Sequence, residues 1–461
     1  MGVSPARKIA FDVLRRVEAE GAYASDALHA ELTARIKPAD AALATELTMG
    51  VLRWRGLLDF LLERDSKKPI PRLDLAVALA LRLGLYQLRF MERIPAHAAV
   101  HESVELVRRA RKSSAAAFVN AILRRSAEKR QVPAAALIPL ELPIAERLAV
   151  LYSHPLWLVQ RWLARMGEAE TVSLLEANNE TPRLSCALNG ETFREEVFKE
   201  LSNAGLRIEP GRLLARAFSV SGGSPSHTDA FRNGRISIQD EASQAVPLLL
   251  GVAAGERVLD VCAAPGGKTA TLARSAGEGG FVLAADVYAH RLHAAKKQFA
   301  RLQLKNIALV AADAEKPLPF GGNFDRVLVD APCSGTGTLA RHPEIRWRLS
   351  PSQLETFPAL QTTILRTARA QAAPGARILY STCSMESEEN EQVVASVVES
   401  AGPHEPLLRL ADAKEARAAL APFLTPGVDA AIFFDEMGAF RTLPHRDRTD
   451  GFFAALLVKM K

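Results

Sequence analysis

Cysteine is scarce in this sequence, and its scarcity argues against two kinds of architecture. Four cysteines in 461 residues are too few for a disulfide framework. None is arranged as Cys-x-x-Cys, and none has histidines at the spacing of zinc ligands. We therefore expect no structural metal, whereas thiol chemistry stays open for Cys186, Cys262, Cys333 and Cys383.

Long uninterrupted apolar runs are also missing. The longest apolar stretch, Leu73–Tyr86, contains Asp74 and Arg82, so it is not predicted to span a lipid bilayer. Residues 1–10 lead into an acidic residue and paired arginines rather than a small-residue cleavage site, so no signal peptide is expected. With 48% apolar and 24% charged residues, the composition predicts a soluble, cytoplasmic, globular protein.

Length and charge indicate separate modules. A chain of 461 residues is expected to form two or three domains. Residues 1–130 carry 23 Lys/Arg against 15 Asp/Glu, whereas the rest carries 35 against 37. The segment from Arg108 to Arg130 contains eight basic residues and a single acid, Glu128. Such a stretch is ordinarily a solvated helix face, but its confinement to one module favours a nucleic-acid-binding surface; an acidic protein partner fits the same charge.

Hydrophobic periodicity predicts a helical domain over residues 1–130, because apolar residues recur there at helical spacing without strand-like alternation. Gln131–Pro143, with three prolines, is a predicted linker, and residues 144–235 form a mixed α/β segment. Over residues 236–461, short apolar runs alternate with helical stretches, which predicts an α/β domain with a mostly parallel sheet. The five predicted strands are Arg257–Val261, Gly280–Ala285, Ile307–Ala311, Asp325–Val329 and Ala376–Tyr380.

The first predicted strand runs into Val258-Leu-Asp-Val-Cys-Ala-Ala-Pro-Gly-Gly-Lys-Thr269. A P-loop needs glycine where this motif has Cys262, and the dinucleotide fingerprint G-x-G-x-x-G is absent. The glycine turn at Pro265–Gly267 still allows a ligand to lie against the backbone. Lys268 follows in the first helical turn, where the helix dipole disfavours a cation, so we expect a carboxylate or a substrate group near it.

Three aspartates, Asp260, Asp286 and Asp313, follow successive predicted strands. Asp286 lies 20 residues beyond Gly266, the spacing at which an acid can accept hydrogen bonds from ribose hydroxyls. A single aspartate after a strand is most often a turn or helix cap. Three in register are better explained by a nucleoside ligand.

Cys333 and Cys383 follow the fourth and fifth predicted strands, in Asp-Ala-Pro-Cys-Ser-Gly-Thr-Gly337 and Tyr-Ser-Thr-Cys-Ser384. They are 50 residues apart, but both lie beyond strands expected to be close in the sheet. A single cysteine is usually an inert buried residue. Two at corresponding strand ends, flanked by Ser, Thr and Gly, indicate a shared reactive site.

These motifs, with the trailing Glu-Glu-Asn-Glu391, resemble those of Sun-type RNA cytosine-C5 methyltransferases. Gln239–Gln244 and Asp450–Ala454 resemble that family's flanking motifs, so the resemblance covers about residue 236 to the C-terminus. The helical N-terminus is similar to a NusB-type RNA-binding domain. Residues 144–235 resemble the family's pre-catalytic region, although Arg183–Asn189 matches its pattern only loosely. The whole chain thus resembles bacterial members that methylate 16S rRNA.

The resemblance implies a Rossmann-like class I methyltransferase fold and S-adenosylmethionine as the cofactor. The cofactor-binding residues would be Cys262, Ala263, Ala264, Pro265, Gly266, Gly267 and Lys268 around the methionine portion, Asp286 at the ribose, Asp313 at the adenine side, and Arg291 and Asp330. Asp330 would lie between the cofactor and the target base and would hold the amino group of that base.

The resemblance also implies different roles for the two cysteines. Carbon 5 of cytosine is a poor nucleophile, so a thiolate must first add to carbon 6. The Pro-Cys thiol, here Cys333, attacks in DNA cytosine methyltransferases, whereas the later cysteine, here Cys383, attacks in the RNA family. We therefore predict Cys383 as the nucleophile, Cys333 as a helper in product release and Lys268 as a candidate base. The target base must be single-stranded or flipped out.

Two other functions stay open: a non-catalytic RNA-binding ribosome-assembly factor, and the same chemistry on tRNA or 23S rRNA. The intact cysteines and acids at the strand ends argue against the first. Arg341–Arg348 adds basic and aromatic groups near the fourth strand, predicted to contact RNA phosphates and to stack on bases. We expect RNA as the partner, no membrane or metal, and a monomer.

Overall fold

The computed structural model describes residues 2–32, 36–190, 194–399 and 407–460. The chain divides into two compact units. The helical unit consists of Met1–Glu180 with Leu339–Arg348, and the sheet unit consists of Thr181–Thr338 with Leu349–Lys461. The chain therefore leaves the sheet unit after Thr338, contributes one short segment to the helical unit and returns at Leu349.

The helical unit confirms the helical character predicted for residues 1–130. Its helices are α1 (Pro5–Glu20), α2 (Ala24–Glu31), α3 (Pro38–Ser66), α4 (Leu75–Phe90), α5 (Ala96–Arg109), α6 (Ala116–Glu128), α7 (Ile144–Leu151), α8 (Leu156–Ala177, interrupted at Gly167) and α14 (Ile345–Arg348). Helix α4 is the central element, because every residue from Val77 to Leu88 is buried.

Burial of α4 explains the long apolar stretch in the sequence and its one charged interior residue. The Arg82 guanidinium is 2% exposed and donates to Asp59 Oδ1 at 2.7 Å and to Glu18 Oε1 at 2.7 Å. A buried charge is tolerated when it is paired in this way. None of the described helices is both long enough and apolar enough to cross a membrane.

The basic stretch from Arg108 to Arg130 has more acidic neighbours in the fold than the sequence suggests. Acids from other elements of the helical unit pair with several of its cations: Arg109 with Asp12 at 3.0 Å, Lys112 with Asp74 at 2.7 Å and Lys129 with Asp65 at 2.9 Å. Because these pairs neutralise part of the excess charge, the surface available to an anionic partner is smaller than predicted.

The sheet unit begins with a small antiparallel sheet of strand order β2-β3-β1-β4. Its elements are β1 (Leu184–Leu188), α9 (Arg194–Asn203), β2 (Arg207–Pro210), β3 (Ala217–Ser221), α10 (Asp229–Arg232) and β4 (Ile236–Ile238). Cys186 lies on β1 with no exposed surface, and burial raises the pKa of this thiol to about 12. It is therefore a structural residue.

The rest of the sheet unit contains a larger sheet and the helices that cover it. The elements are α11 (Glu241–Leu249), β5 (Arg257–Asp260), α12 (Gly267–Ala276), β6 (Phe281–Asp286), α13 (Ala289–Arg301), β7 (Ile307–Ala311), β8 (Phe324–Asp330), α15 (Pro351–Gln371), β9 (Ala372–Thr382), α16 (Glu391–Glu399), β10 (Leu408–Leu410), α17 (Ala413–Leu420), β11 (Phe440–Thr442), α18 (Pro444–Asp447) and β12 (Phe452–Lys459). The five predicted strands are all parallel, in the order β9-β8-β5-β6-β7.

The mostly parallel, Rossmann-like sheet is confirmed, and it has an additional antiparallel edge. Strand β12 pairs with β9, and β10 and β11 pair with β12. The strand order reverses beside β5, which lies between β8 and β6. In such sheets, ligands bind beyond the carboxyl ends of the strands at this reversal. The boundaries 1–130, 144–235 and 236–461 stay predictions for the domains.

The prediction that Arg341–Arg348 forms an RNA-binding loop is wrong for Arg346. Arg346 has no exposed surface, and its guanidinium donates to the carbonyl oxygens of Asn178 at 2.9 Å and Ser153 at 3.1 Å. Trp347 donates from Nε1 to Leu52 O at 2.7 Å. These bonds fasten the segment within the helical unit, and the guanidinium of Arg346 is not available to RNA phosphates.

We expect Arg346→Met to lower the free energy of unfolding of the helical unit by about 3 kcal/mol, because the carbonyls of Ser153 and Asn178 would stay buried without a donor. Urea unfolding, with hydrogen exchange used to assign the transition to α3 and α8, measures this loss. Arg124→Met, at an exposed position of α6, is the matched control and should change stability by less than about 0.5 kcal/mol. Equal unfolding free energies for the two variants would contradict the structural role of Arg346.

Candidate active site

The turn between β5 and α12 requires glycine at position 266. Gly266 has φ +102°, and a Cβ atom there would lie 2.8 Å from the ring of Phe299. Asp286, at the end of β6, accepts hydrogen bonds from the backbone amides of Ala264 at 3.1 Å and Tyr288 at 2.9 Å. The predicted ribose-binding carboxylate therefore also holds the glycine turn against β6.

Arg291 and Asp313 differ in how they relate to this turn. Arg291 of α13 donates to Ala264 O at 2.9 Å and lies 3.7 Å from the Asp286 carboxylate. It therefore helps to hold the turn. Asp313 instead accepts from the backbone amide of Glu315 at 3.0 Å and pairs with Lys316 at 3.0 Å. These contacts are those of a turn cap at the end of β7.

Asp260 is buried at the end of β5. The sequence pattern grouped it with the other strand-end aspartates and predicted no separate role for it. Its Oδ2 accepts from Thr269 Oγ1 at 2.7 Å. Its buried Oδ1 lacks a well-aligned donor among the described residues, although the Cys262 amide lies nearby. Burial, with the nearby charge of Asp330, raises the pKa of Asp260 to about 7.

Lys268 has the carboxylate neighbour that its position predicts. Its Nζ lies 2.7 Å from Asp330 Oδ2, and Asp330 Oδ1 accepts from Ser381 Oγ at 2.9 Å. Burial acts to lower the pKa of Lys268, but the charge of Asp330 outweighs it and the pKa is raised. Lys268 is therefore an ammonium ion, placed 4.9 Å from the centre of the Phe452 ring.

The two cysteines lie side by side, as the strand pattern predicts. Strands β8 and β9 pair in parallel with Asp330 opposite Ser381, and the sulfur atoms of Cys333 and Cys383 are 3.4 Å apart. A hydrogen bond to Cys383, together with burial, raises the pKa of the Cys333 thiol well above its usual value. Cys333 therefore carries its proton at neutral pH.

Cys262 also faces this end of the sheet, but it differs from the other two cysteines. Burial and the charges of nearby aspartates raise the pKa of its thiol well above the usual value. Such a thiol stays neutral and behaves as a small apolar side chain. It lines the loop after β5 and is unsuited to nucleophilic attack.

The two flanking motifs support the site from outside it. Asp240 caps α11 by accepting from the Ala242 amide at 2.9 Å and receives a hydrogen bond from Thr449 Oγ1 at 2.7 Å. A Cβ atom at Gly337 would lie 2.2 Å from Gly451 O, so the loop after Cys333 and the turn before β12 require glycine to pack together.

The structure thus brings Lys268, Asp330, Cys333 and Cys383 to one end of the sheet, beside the turn held by Asp286. Sequence reasoning missed the serines that follow the two cysteines and the acid at position 389, which interact with one another. Their signal was the paired Cys-Ser dipeptides and the acidic run after the second one. Among the residues that the structure describes, no cluster of His, Cys, Asp or Glu could hold a metal ion.

Comparisons with known proteins agree with this geometry. A family model described as 16S rRNA methyltransferase RsmB/F matches residues 247–458, a NusB family model matches residues 4–128, and a model of the ferredoxin-like domain of RsmF/B-like methyltransferases matches residues 154–226. The three matches cover the helical N-terminus, the small sheet and the large sheet. The resemblance inferred from the sequence motifs is confirmed.

Relatives of similar length carry consistent names. The chain is 33% identical to a probable ribosomal RNA small subunit methyltransferase B of Bacillus subtilis and 31% identical to ribosomal RNA small subunit methyltransferase B of Yersinia pestis, over 98% of each chain in both cases. The crystal structure of PH0851 is 26% identical and superposes with a TM-score of 0.80 over the full length of both chains. The chain therefore belongs to the RsmB/F family of 16S rRNA methyltransferases and is an S-adenosylmethionine-dependent RNA methyltransferase.

Proposed function

We propose that this enzyme transfers a methyl group to carbon 5 of a cytosine in 16S rRNA through a covalent bond between Cys383 and carbon 6. The observation that carries the proposal is the contact between the two sulfur atoms, 3.4 Å apart, beside the Lys268–Asp330 pair. A thiolate that adds to carbon 6 makes carbon 5 nucleophilic. The names of the full-length relatives support 16S rRNA as the substrate.

The residues at the end of β5 fit S-adenosylmethionine. The poorly satisfied Oδ1 of Asp260 is a buried acceptor suited to an ammonium group. Asp286 keeps lone pairs for hydroxyl donors, and Cys262–Lys268 would surround the methionine portion. Bound there, the cofactor supplies an electrophilic methyl group on a sulfonium ion.

Asp313 has a weaker case than the other cofactor-binding candidates. Its carboxylate is occupied by Lys316 and by the backbone of its own turn. We propose that Asp313 lies near the adenine side of the cofactor and acts there by holding the turn that it caps.

We propose that Lys268 stabilises the Cys383 thiolate by its charge. An ammonium ion with a raised pKa cannot accept the thiol proton, so the role of base considered for Lys268 does not fit. Its charge lies close enough to that of Cys383 for the two to interact, and a nearby cation favours a thiolate.

Asp330 orients Lys268 and leaves a carboxylate at the edge of the site for the amino group of the base. Its two oxygens point to different partners, Lys268 and Ser381, and the side chain is 28% exposed. It is therefore accessible to an incoming base while being held in place. A carboxylate beside the ring also favours a protonated ring nitrogen, and the protonated ring accepts a thiolate at carbon 6 more readily.

Cys333 is placed to assist the last step, in which water takes the carbon 5 proton, the bond between carbon 6 and sulfur breaks, and the departing Cys383 sulfur takes the proton of the Cys333 thiol. It is the group in contact with the nucleophilic sulfur, and its thiol carries a proton before reaction. A non-catalytic assembly factor would have no need of this charged and thiol-bearing arrangement. Methyl-transfer assays with tRNA and 23S rRNA test whether the same chemistry acts on another RNA.

We expect Cys383→Ser to abolish methyl transfer to unmodified 16S rRNA, because no thiolate can add to carbon 6. Cys333→Ser should instead accumulate a covalent protein–RNA adduct in the presence of cofactor, visible as a slower band on a denaturing gel. Cys186→Ser, in the small sheet, is the control and should behave as the wild type. An adduct formed by Cys383→Ser and not by Cys333→Ser would show that the roles are reversed.

We expect binding of S-adenosylhomocysteine, which retains the ammonium group, to strengthen by about tenfold between pH 6 and pH 8. Asp260 is neutral below its pKa of about 7 and negatively charged above it, so the attraction for an ammonium rises through this range. Isothermal titration calorimetry at several pH values measures the change. Asp260→Asn should bind weakly with a flat pH profile; an unchanged slope in this variant would contradict the assignment.

A further inference from the structure

A buried carboxylate joins the two cysteine loops. Glu389 lies in the 3₁₀ turn Ser387–Glu389 and has no exposed surface. Its Oε2 accepts hydrogen bonds from the hydroxyls of Ser334 and Ser384. Its Oε1 accepts from the Ser334 amide at 2.8 Å and from Gln361 Nε2 at 3.0 Å. Four donors from three parts of the chain therefore converge on one side chain.

The two serines connect this carboxylate directly to the thiols. Ser334 follows Cys333, Ser384 follows Cys383, and the two hydroxyl oxygens are 3.0 Å apart. Glu389 therefore restrains both loops one residue away from each sulfur. Gln361 adds a further link, because the same Nε2 also donates to Pro332 O at 3.0 Å.

The turn that carries Glu389 is itself fastened to β9. Tyr380 donates from its hydroxyl to Glu389 O at 2.5 Å. Asn390 donates from Nδ2 to Ser384 O at 2.9 Å and accepts from Thr382 Oγ1 at 2.6 Å. The side chains of this network are buried, so the restraint acts in a low-dielectric environment where hydrogen bonds are strong.

The charge of Glu389 also acts on the thiol pair. Burial raises the pKa of Glu389, whereas its hydrogen-bond donors act in the opposite direction. After the hydrogen bond to Cys383 and burial, the charge of Glu389 is a further cause of the raised pKa of Cys333. It therefore helps to keep Cys333 protonated.

We propose that Glu389 is a positioning residue that holds Ser334 and Ser384, and through them the two thiols, at the separation required for attack and release. The use of both thiols in the reaction rests on the proposed function. Glu389 itself does not touch the substrate. It acts on the reaction through the loops that carry Cys333 and Cys383.

Phenylarsine oxide tests the restraint without requiring catalysis. Its arsenic forms one bond to each of two adjacent thiols, and its oxygen leaves as water with both thiol protons. We expect wild-type enzyme to bind one arsenical across Cys333 and Cys383, detected by intact mass. In Glu389→Gln, the carboxamide cannot accept from all four donors, so both bridging and single-turnover methyl transfer should slow by about 100-fold.

The affinity for S-adenosylhomocysteine should stay unchanged in Glu389→Gln, which shows that the sheet is folded. Glu388→Gln is the matched control, because it removes the same charge from the neighbouring position without touching the two serines. Its bridging and transfer rates should equal those of the wild type. A positioning role is distinguished from a merely structural one by the selective loss of bridging at unchanged cofactor affinity.

The proposal is overturned if folded Glu389→Gln is bridged as fast as the wild type, or if bridging is lost while methyl transfer is unchanged. Should Glu389→Gln fail to bind S-adenosylhomocysteine, Ser334→Ala and Ser384→Ala each remove one link, and wild-type bridging in both would overturn it. Bridging that depends on Glu389 in an enzyme that methylates no cytosine would refute the proposed function and leave the restraint standing.

Discussion

The site depends on the parallel pairing of β8 with β9, because that pairing brings together residues 50 positions apart. With Asp330 opposite Ser381, both strands end at the same level and their following loops emerge side by side. The 3.4 Å contact between the sulfur atoms follows from this register. A shift of one residue would turn the side chains of one strand to the opposite face, and the two thiols would separate.

The strands and the closeness of the thiols could be predicted because both follow from local patterns. Each parallel strand is a short apolar run ending in a small or acidic residue, and the carboxyl ends of such strands lie at one edge of the sheet. The carboxylate partner of Lys268 was predicted for a similar reason, since a cation in a first helical turn needs compensation. These inferences needed no knowledge of distant contacts.

What the sequence could not predict depends on partners far away along the chain. Arginine is a residue type that often contacts RNA, but Arg346 is buried and donates to the carbonyl oxygens of Ser153 and Asn178. Arg109 of the basic stretch is paired with Asp12 of another helix. Strand β12 gave no alternating pattern, because all but one of its residues are buried. Charge and periodicity report composition along the chain, whereas these roles depend on tertiary contacts.

Glu389, Asp286 and Asp260 are buried acids that differ in how far the protein's own donors satisfy their oxygens. Glu389 accepts from four donors of its own chain, and Asp286 accepts from two backbone amides, so both stabilise the protein's own loops. Asp260 is just as deeply buried, but one of its oxygens lacks a well-aligned donor among the described residues. A buried acceptor left in this state costs stability, and a ligand donor would recover that cost. Under the proposed function, the ammonium group of the cofactor is the donor that would recover this cost.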